Sequence, residues 1–476
     1  MKRLLLLTIL LLLFLLPGIS CAAEEEIHVN PQDPSACATL TEAMAVAAEG
    51  DVIILHEGTY TYETETYPIV VDKRVEIRAA QGENVLLRGK RYQAVLRVEA
   101  EGVVLQGLDV EFLRYGVLAL ADGLTVEACR FTLYDPAYRV SSCGVWLAGA
   151  RHCRVSGCEF VRCGLSMAGP PISESTGNKP VLTALFEIGE DKAYFTSHTV
   201  ENNLVNGRPL YYFVCQDEVV APTDAGGLII ADCGHVTIDG LTIAEGSMGI
   251  IVAHCAYVEM RNTTADACGL FGVYLTYIDG GKLENVRVTN TNHGIDMRVV
   301  QSLEVRNCHT VACDQGIFFS WGMNCLAVDC SARDGKAGFF LAAGNYNVLM
   351  NCLAEANENA LDVENENNLQ VIGNTFRRNK TASIRLNNVT GVFANNLFED
   401  NWVGFISYGR VPQNIVGNRF VRTGGCDIYL LNPTDSIIAG NTMEGSAISV
   451  QLVGTVENVI FTGNEYDGAW VDNTTR

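Results

Sequence analysis

A chain of 476 residues, 48% of them hydrophobic, is long enough to bury a large core. Acidic residues outnumber basic ones by 55 to 33, a net charge of −22, which excludes non-specific attraction to the phosphates of nucleic acid. After the N-terminal apolar run, no second stretch is long and apolar enough to propose a membrane span.

The N-terminus carries Lys2 and Arg3, an apolar run from Leu4 to Leu16, and then "PGISCAA". A short basic region, an apolar stretch and small residues before a cleavage point read as a secretory signal over residues 1–22. Two processing routes fit it. Cleavage after Ala22 or Ala23 gives soluble export. Lipidation of Cys21 through "GISC" gives a lipid anchor, with Gly18 standing where a lipobox prefers leucine. Either route places the protein outside the cytoplasm, in the periplasm, on the cell surface or in the medium.

Next, "ATLTEAMAVAAEGDVIILHEGTY" predicts a helix from about Leu40 to Ala48, then a strand and a turn at Glu57 and Gly58. The helix is expected to cap the open end of a stack. Gly116, Gly144 and Gly164 begin an irregular repeat, with "YDPAYR" inserted in one unit. From about Gly169 to Gly226 the repeat stops. "GPPISESTGNKP" reads as a loop, and the rest as one strand-rich excursion on a single face.

Beyond it the chain keeps time. Gly227, Gly249, Gly272, Gly294, Gly316, Gly338, Ala360, Ala382, Gly404 and Cys426 each open a "small-apolar-x-apolar" unit, 22 residues apart and once 23. Each unit alternates short β-type runs, such as "GIDMRV" and "SLEVRNC", with Asn, Gly, Asp and Cys at the breaks, and none contains an amphipathic helix. The reading is all-β: one right-handed parallel β-helix over residues 27–476, about 22 residues per coil, with a helical cap and one insertion at about 169–226.

Two ladders follow from the period. Cys308, Cys330, Cys352, Asn374, Asn396 and Asn418 share one offset; Cys268, Cys313, Asn357, Asn379 and Asn401 share another. Stacked asparagine amides satisfy one another, and cysteine replaces them as a small residue tolerant of burial. Cys153, Cys158 and Cys163 beside His152 invite a metal reading, yet their five-residue steps match the corner spacing of other coils. Stacked pairs such as Cys308 with Cys330 would have Cα atoms about 4.8 Å apart, compatible with a disulfide without requiring one.

Offsets 1 and 3 from each opening residue point inward, so offset 2 points out. That column holds Tyr274, Asp296, Phe318, Phe340 and Asp362, and Arg385 joins it if its coil slips by one; offset 4 adds Arg298 and Glu364. Aromatic faces stack on sugar rings, while carboxylates and guanidinium groups bond hydroxyls or uronates, so an extended glycan suits the strip. The plainer reading has Phe318 and Phe340 covered by the insertion. Asp362 and Glu364, at i and i+2 and about 6.5–7 Å apart, fit a hydrolase carboxylate pair. Arg385 fits a lyase that neutralises a uronate.

The clock, the entry "GDVIILHEGTY" and the stretch "NGRPLYYFVCQDEVVAPTDAGGLIIADCGHVTIDGLTIAEGSMGI" together resemble the pectin-lyase-like right-handed β-helix superfamily, and more narrowly its NosD-type repeat proteins. The resemblance implies a cell-envelope protein from a group that includes polysaccharide lyases, hydrolases, epimerases and carbohydrate-binding modules. NosD itself assists copper-site assembly in nitrous oxide reductase. The polygalacturonase-like signature is reduced here to "NHG" at Asn292–Gly294, and the epimerase-like Asp-Pro-His stops at Asp135 and Pro136, which argues against both activities. Three functions stand from the sequence: binding or processing of an extended polysaccharide by a lyase or hydrolase, a NosD-like accessory role in copper handling, and a structural surface protein. Calcium and copper both stay open as ligands.

Overall fold

The computed structural model describes residues 25–91, 93–138, 142–169 and 191–474. The signal segment with Cys21, and most of the loop beginning at Gly169, lie outside the described residues.

The chain winds as a right-handed parallel β-solenoid of about 19 turns. Each coil lays one short strand on each of three parallel sheets, and the apolar residues between them form the core. In one coil these strands are His293–Val300, Leu303–Arg306 and His309–Val311. The next coil repeats them in register as Gln315–Ser320, Leu326–Val328 and Ser331–Arg333.

The cap helix forms at Leu40–Val46 and buries Leu40, Ala43 and Met44 over the first coil. Its start is strongly specified. The Thr39 hydroxyl accepts from Glu42 N at 3.0 Å, and Glu42 accepts from Ala38 N at 2.9 Å. Glu65 takes the free amides of Leu40 and Thr41 at 2.7 and 2.9 Å.

The excursion is shorter than the sequence suggests. By Thr199–Glu201 and Leu204–Val205 the chain is already pairing in register with Arg154–Ser156 and Glu159–Val161. Arg208–Val214 then founds the sheet of long strands that runs on through Ala469–Thr474. A short helix, Ala193–Thr196, buries Phe195 at the junction. There the first coils of the long-strand sheet are covered on their outer face. Ile229, Ile251 and Tyr274, which point away from their own core, join the apolar cluster of the N-terminal coils.

Small residues open the coils for a reason different from corner bending. Gly294 and Gly316 lie inside strands, and a Cβ on Gly294 would meet the Gly316 carbonyl oxygen at 2.5 Å. The true corners carry left-handed residues instead, among them Asn285, Asn307, Asp329 and Asn351. The column also slips twice. Register places Ser383 after Ala360 and Asp427 after Gly404, where the spacing suggests Ala382 and Cys426.

The asparagine ladders are present and do more than stack. Asn396 Oδ1 accepts from both the backbone N and the Nδ2 of Asn374, at 2.9 and 3.0 Å, while its own Nδ2 reaches Val371 O and Asn418 Oδ1 at 2.9 Å each. Each amide thus satisfies backbone groups that the corner would otherwise orphan. The described cysteines are free thiols.

Candidate functional site

The offset-2 residues form one continuous column. Tyr274, Asp296, Phe318, Phe340, Asp362 and Arg385 are successive register partners on the long-strand sheet, with Ile406 and Tyr429 continuing it. The slip at Ser383 brings Arg385 opposite Asp362.

The column is not uniformly open, contrary to a strip of exposed side chains. Tyr274 is absorbed into the N-terminal core, and Asp296 is fully buried beneath Arg298. Arg298 holds Asp296 through two bonds, Nε to Oδ1 at 2.7 Å and Nη2 to Oδ2 at 2.9 Å. His293 Nδ1 stands 2.8 Å from the same carboxylate. Burial alone would raise the Asp296 carboxyl, but the adjacent guanidinium outweighs it and holds it below the usual range. The Arg298 guanidinium also lies 5.0 Å from the centre of the Phe318 ring.

From Phe318 onward a groove of about 700 Å³ opens. Its floor is the stacked pair Phe318 and Phe340, with ring centres 4.9 Å apart and planes 9° from parallel. Asp362 and Arg385 close one side, joined Nε to Oδ1 at 2.8 Å and Nη2 to Oδ2 at 3.0 Å, and Asn359 Nδ2 donates to Asp362 at 3.2 Å. Burial pushes the Asp362 carboxyl above its usual range despite that partner. Glu364 is exposed and faces an adjoining recess of about 250 Å³ that it lines together with Asp362, Arg385, Asn387 and Tyr408. Both carboxylates line this recess, Asp362 committed to the Arg385 guanidinium and Glu364 open to solvent.

Spacing from the opening residue missed part of the lining. Asp314, Lys336 and Glu358 form a rim, and Gln315, Ala337 and Asn359 the wall below it. The rim was readable as three polar residues 22 apart. The wall was not, because strict alternation from Gly316 sends the preceding residue inward.

Cys153, Cys158 and Cys163 are buried, and their thiols point at backbone carbonyls of Arg151, Ser156 and Phe131 at 3.4, 3.5 and 3.4 Å. Burial raises the Cys153 and Cys158 thiols to about 11 each, which disfavours the thiolate that metal binding needs. Among the described residues no group of three or more His, Cys, Asp or Glu side chains is placed to hold a metal ion.

Coil geometry, ladders and outward column together define a right-handed parallel β-helix repeat protein. Residues 293–469 match the family model described as periplasmic copper-binding protein (NosD), and residues 184–331 match that of the right-handed β-helix region. No curated protein matches the chain. Among solved structures the chain is similar to the A-module of the mannuronan C-5 epimerase AlgE6 of Azotobacter vinelandii, at 13% identity over 90% of this chain and 94% of that one, TM-score 0.38. It is similar also to the periplasmic alginate epimerase AlgG, at 11% identity over 88% and 85%, TM-score 0.35. A third likeness is to tailspike protein 3 of bacteriophage CBA120, at 10% identity over 88% and 58%, TM-score 0.30.

Proposed function

We propose that the protein is exported and binds an extended polysaccharide in the groove over Phe318 and Phe340. The observation that carries this reading is the stacked phenylalanine floor bordered by Arg298, Asp362, Arg385 and two amide side chains. An apolar platform the width of a sugar ring, edged by hydrogen-bonding groups, is the combination that pyranose faces and hydroxyls require. Asp296 serves from beneath by fixing the Arg298 guanidinium, and Tyr274 closes the end of the column with its ring 5.9 Å from the same guanidinium. Processing by Asp362, Glu364 and Arg385 belongs to the same site.

The test is retention of the purified protein on a panel of neutral and uronic-acid polysaccharides, with and without calcium, while newly formed chain ends are counted. Retention without new ends identifies a binding module, and new ends an enzyme. Silence across the panel refutes the reading.

The match to the NosD model favours a second reading, an envelope accessory protein in copper handling. A copper titration with no site tighter than buffer thiols removes it.

A further inference from the structure

We propose that the groove accepts an uncharged polysaccharide and turns uronans away, and that Asp296, Asp314 and Asp362 set this selectivity by occupying the groove's cations. The inference rests on the glycan reading of the groove and specifies the class of chain.

A carboxylated sugar is recognised by guanidinium or ammonium groups that still have donors to give, most strongly by bidentate arginine. Three such groups line this groove: Arg298, Lys336 and Arg385. Each is already held by an acid of the protein. Arg298 closes on Asp296 at 2.7 and 2.9 Å, and Arg385 on Asp362 at 2.8 and 3.0 Å. Lys336 Nζ reaches Asp314 Oδ2 at 2.6 Å. Glu358 adds a further acid on the rim, so with Asp296 beneath the floor the acids outnumber the cations. A uronate would have to displace a carboxylate already in place, and would approach a protein of net charge −22.

The experiment compares neutral glucans, mannans and xylans with alginate and polygalacturonate, at low salt and at about 1 M salt, where the Debye length is about 3 Å. The wild-type protein should retain a neutral chain with an affinity that salt changes less than about threefold, and should retain no uronan. Asp314→Asn frees Lys336 at the rim. It should gain uronan retention that is lost in high salt, with its melting curve reporting that the fold is intact. Salt-sensitive uronan binding by the wild-type protein overturns the selectivity and leaves the glycan reading standing. An intact Asp314→Asn protein that still ignores uronans also overturns it. Retention of no polysaccharide at all brings down the glycan reading itself.

Discussion

Arg385 and Asp362 stand on neighbouring coils and close a two-pronged ion pair, 2.8 Å from Nε to Oδ1 and 3.0 Å from Nη2 to Oδ2. Asp362 is buried, while Arg385 is nearly half exposed. Arg385→Ala leaves a buried carboxylate with the Asn359 amide as its remaining side-chain donor among the described residues. Solvent screening of the guanidinium keeps the expected loss to about 1–2 kcal/mol. Denaturant unfolding checks it, and Asp362→Asn in the same chain should restore most of the loss, since the cost lies in the unpaired charge.

Phe318 and Phe340 present their stacked rings to the groove, and only Phe340 is more than marginally exposed. Replacing both with serine should weaken retention on polysaccharide by about fivefold to about a hundredfold, in line with about 0.5–1.5 kcal/mol per lost aromatic contact. Far-ultraviolet circular dichroism should be unchanged, because the inward Ile317, Phe319, Phe339 and Leu341 carry the core at these coils. Collapse of the spectrum would show that the rings are structural.

A Cβ on Gly316 would stand 2.4 Å from the Gly338 carbonyl oxygen and 2.7 Å from Thr310 Oγ1. Both belong to tightly stacked backbone or its immediate packing, so Gly316→Ala should destabilise by about 1–3 kcal/mol. The expected readout is a lowered unfolding midpoint with the groove's ligand affinity reduced in parallel, since the same strand carries Phe318.

Glu366 is fully buried, accepting from Gly344 N at 2.7 Å and Asn347 Nδ2 at 2.6 Å. Burial pushes its carboxyl up from 4.5 to about 7. The folded state therefore holds a proton that the unfolded chain releases at lower pH. Stability is unaffected below about pH 4.5, falls as pH rises towards 7, and stays reduced above it, by about 3 kcal/mol in all. Asp427, raised from 3.8 to about 6, acts in the same direction. Melting curves between pH 4.5 and 8 should show this decline, and Glu366→Gln should flatten it and raise the midpoint at pH 8.

Much of the fold could be read from the chain because stacking makes each coil's chemistry repeat. Asn374, Asn396 and Asn418 announce a ladder by recurring 22 apart, and the ladder is there. The slips at Ser383 and Asp427 were harder to see, since Ala382 and Cys426 beside them are equally small and no local pattern separates them. In the site, the column of outward residues followed from alternation, including Arg385 once its coil is allowed one extra residue. The burial of Tyr274 did not. It depends on coils more than a hundred residues earlier, and on contacts that no periodicity within the later repeats encodes. The wall residues Gln315 and Asn359 were hidden by the same simplicity that revealed the column, because the strand departs from strict alternation just before its glycine.

A perfectly periodic surface has a drawback for recognition: every coil offers a guest the same seat, and a long guest can slide along it like a bead on a ruler without marks. The N-terminal coils remove that degeneracy here. By swallowing Ile229, Ile251 and Tyr274 they place a wall at one end of the column, and the first ring beyond it to line the groove is Phe318. The repeat supplies the track, and its junction with the earlier coils supplies the zero mark.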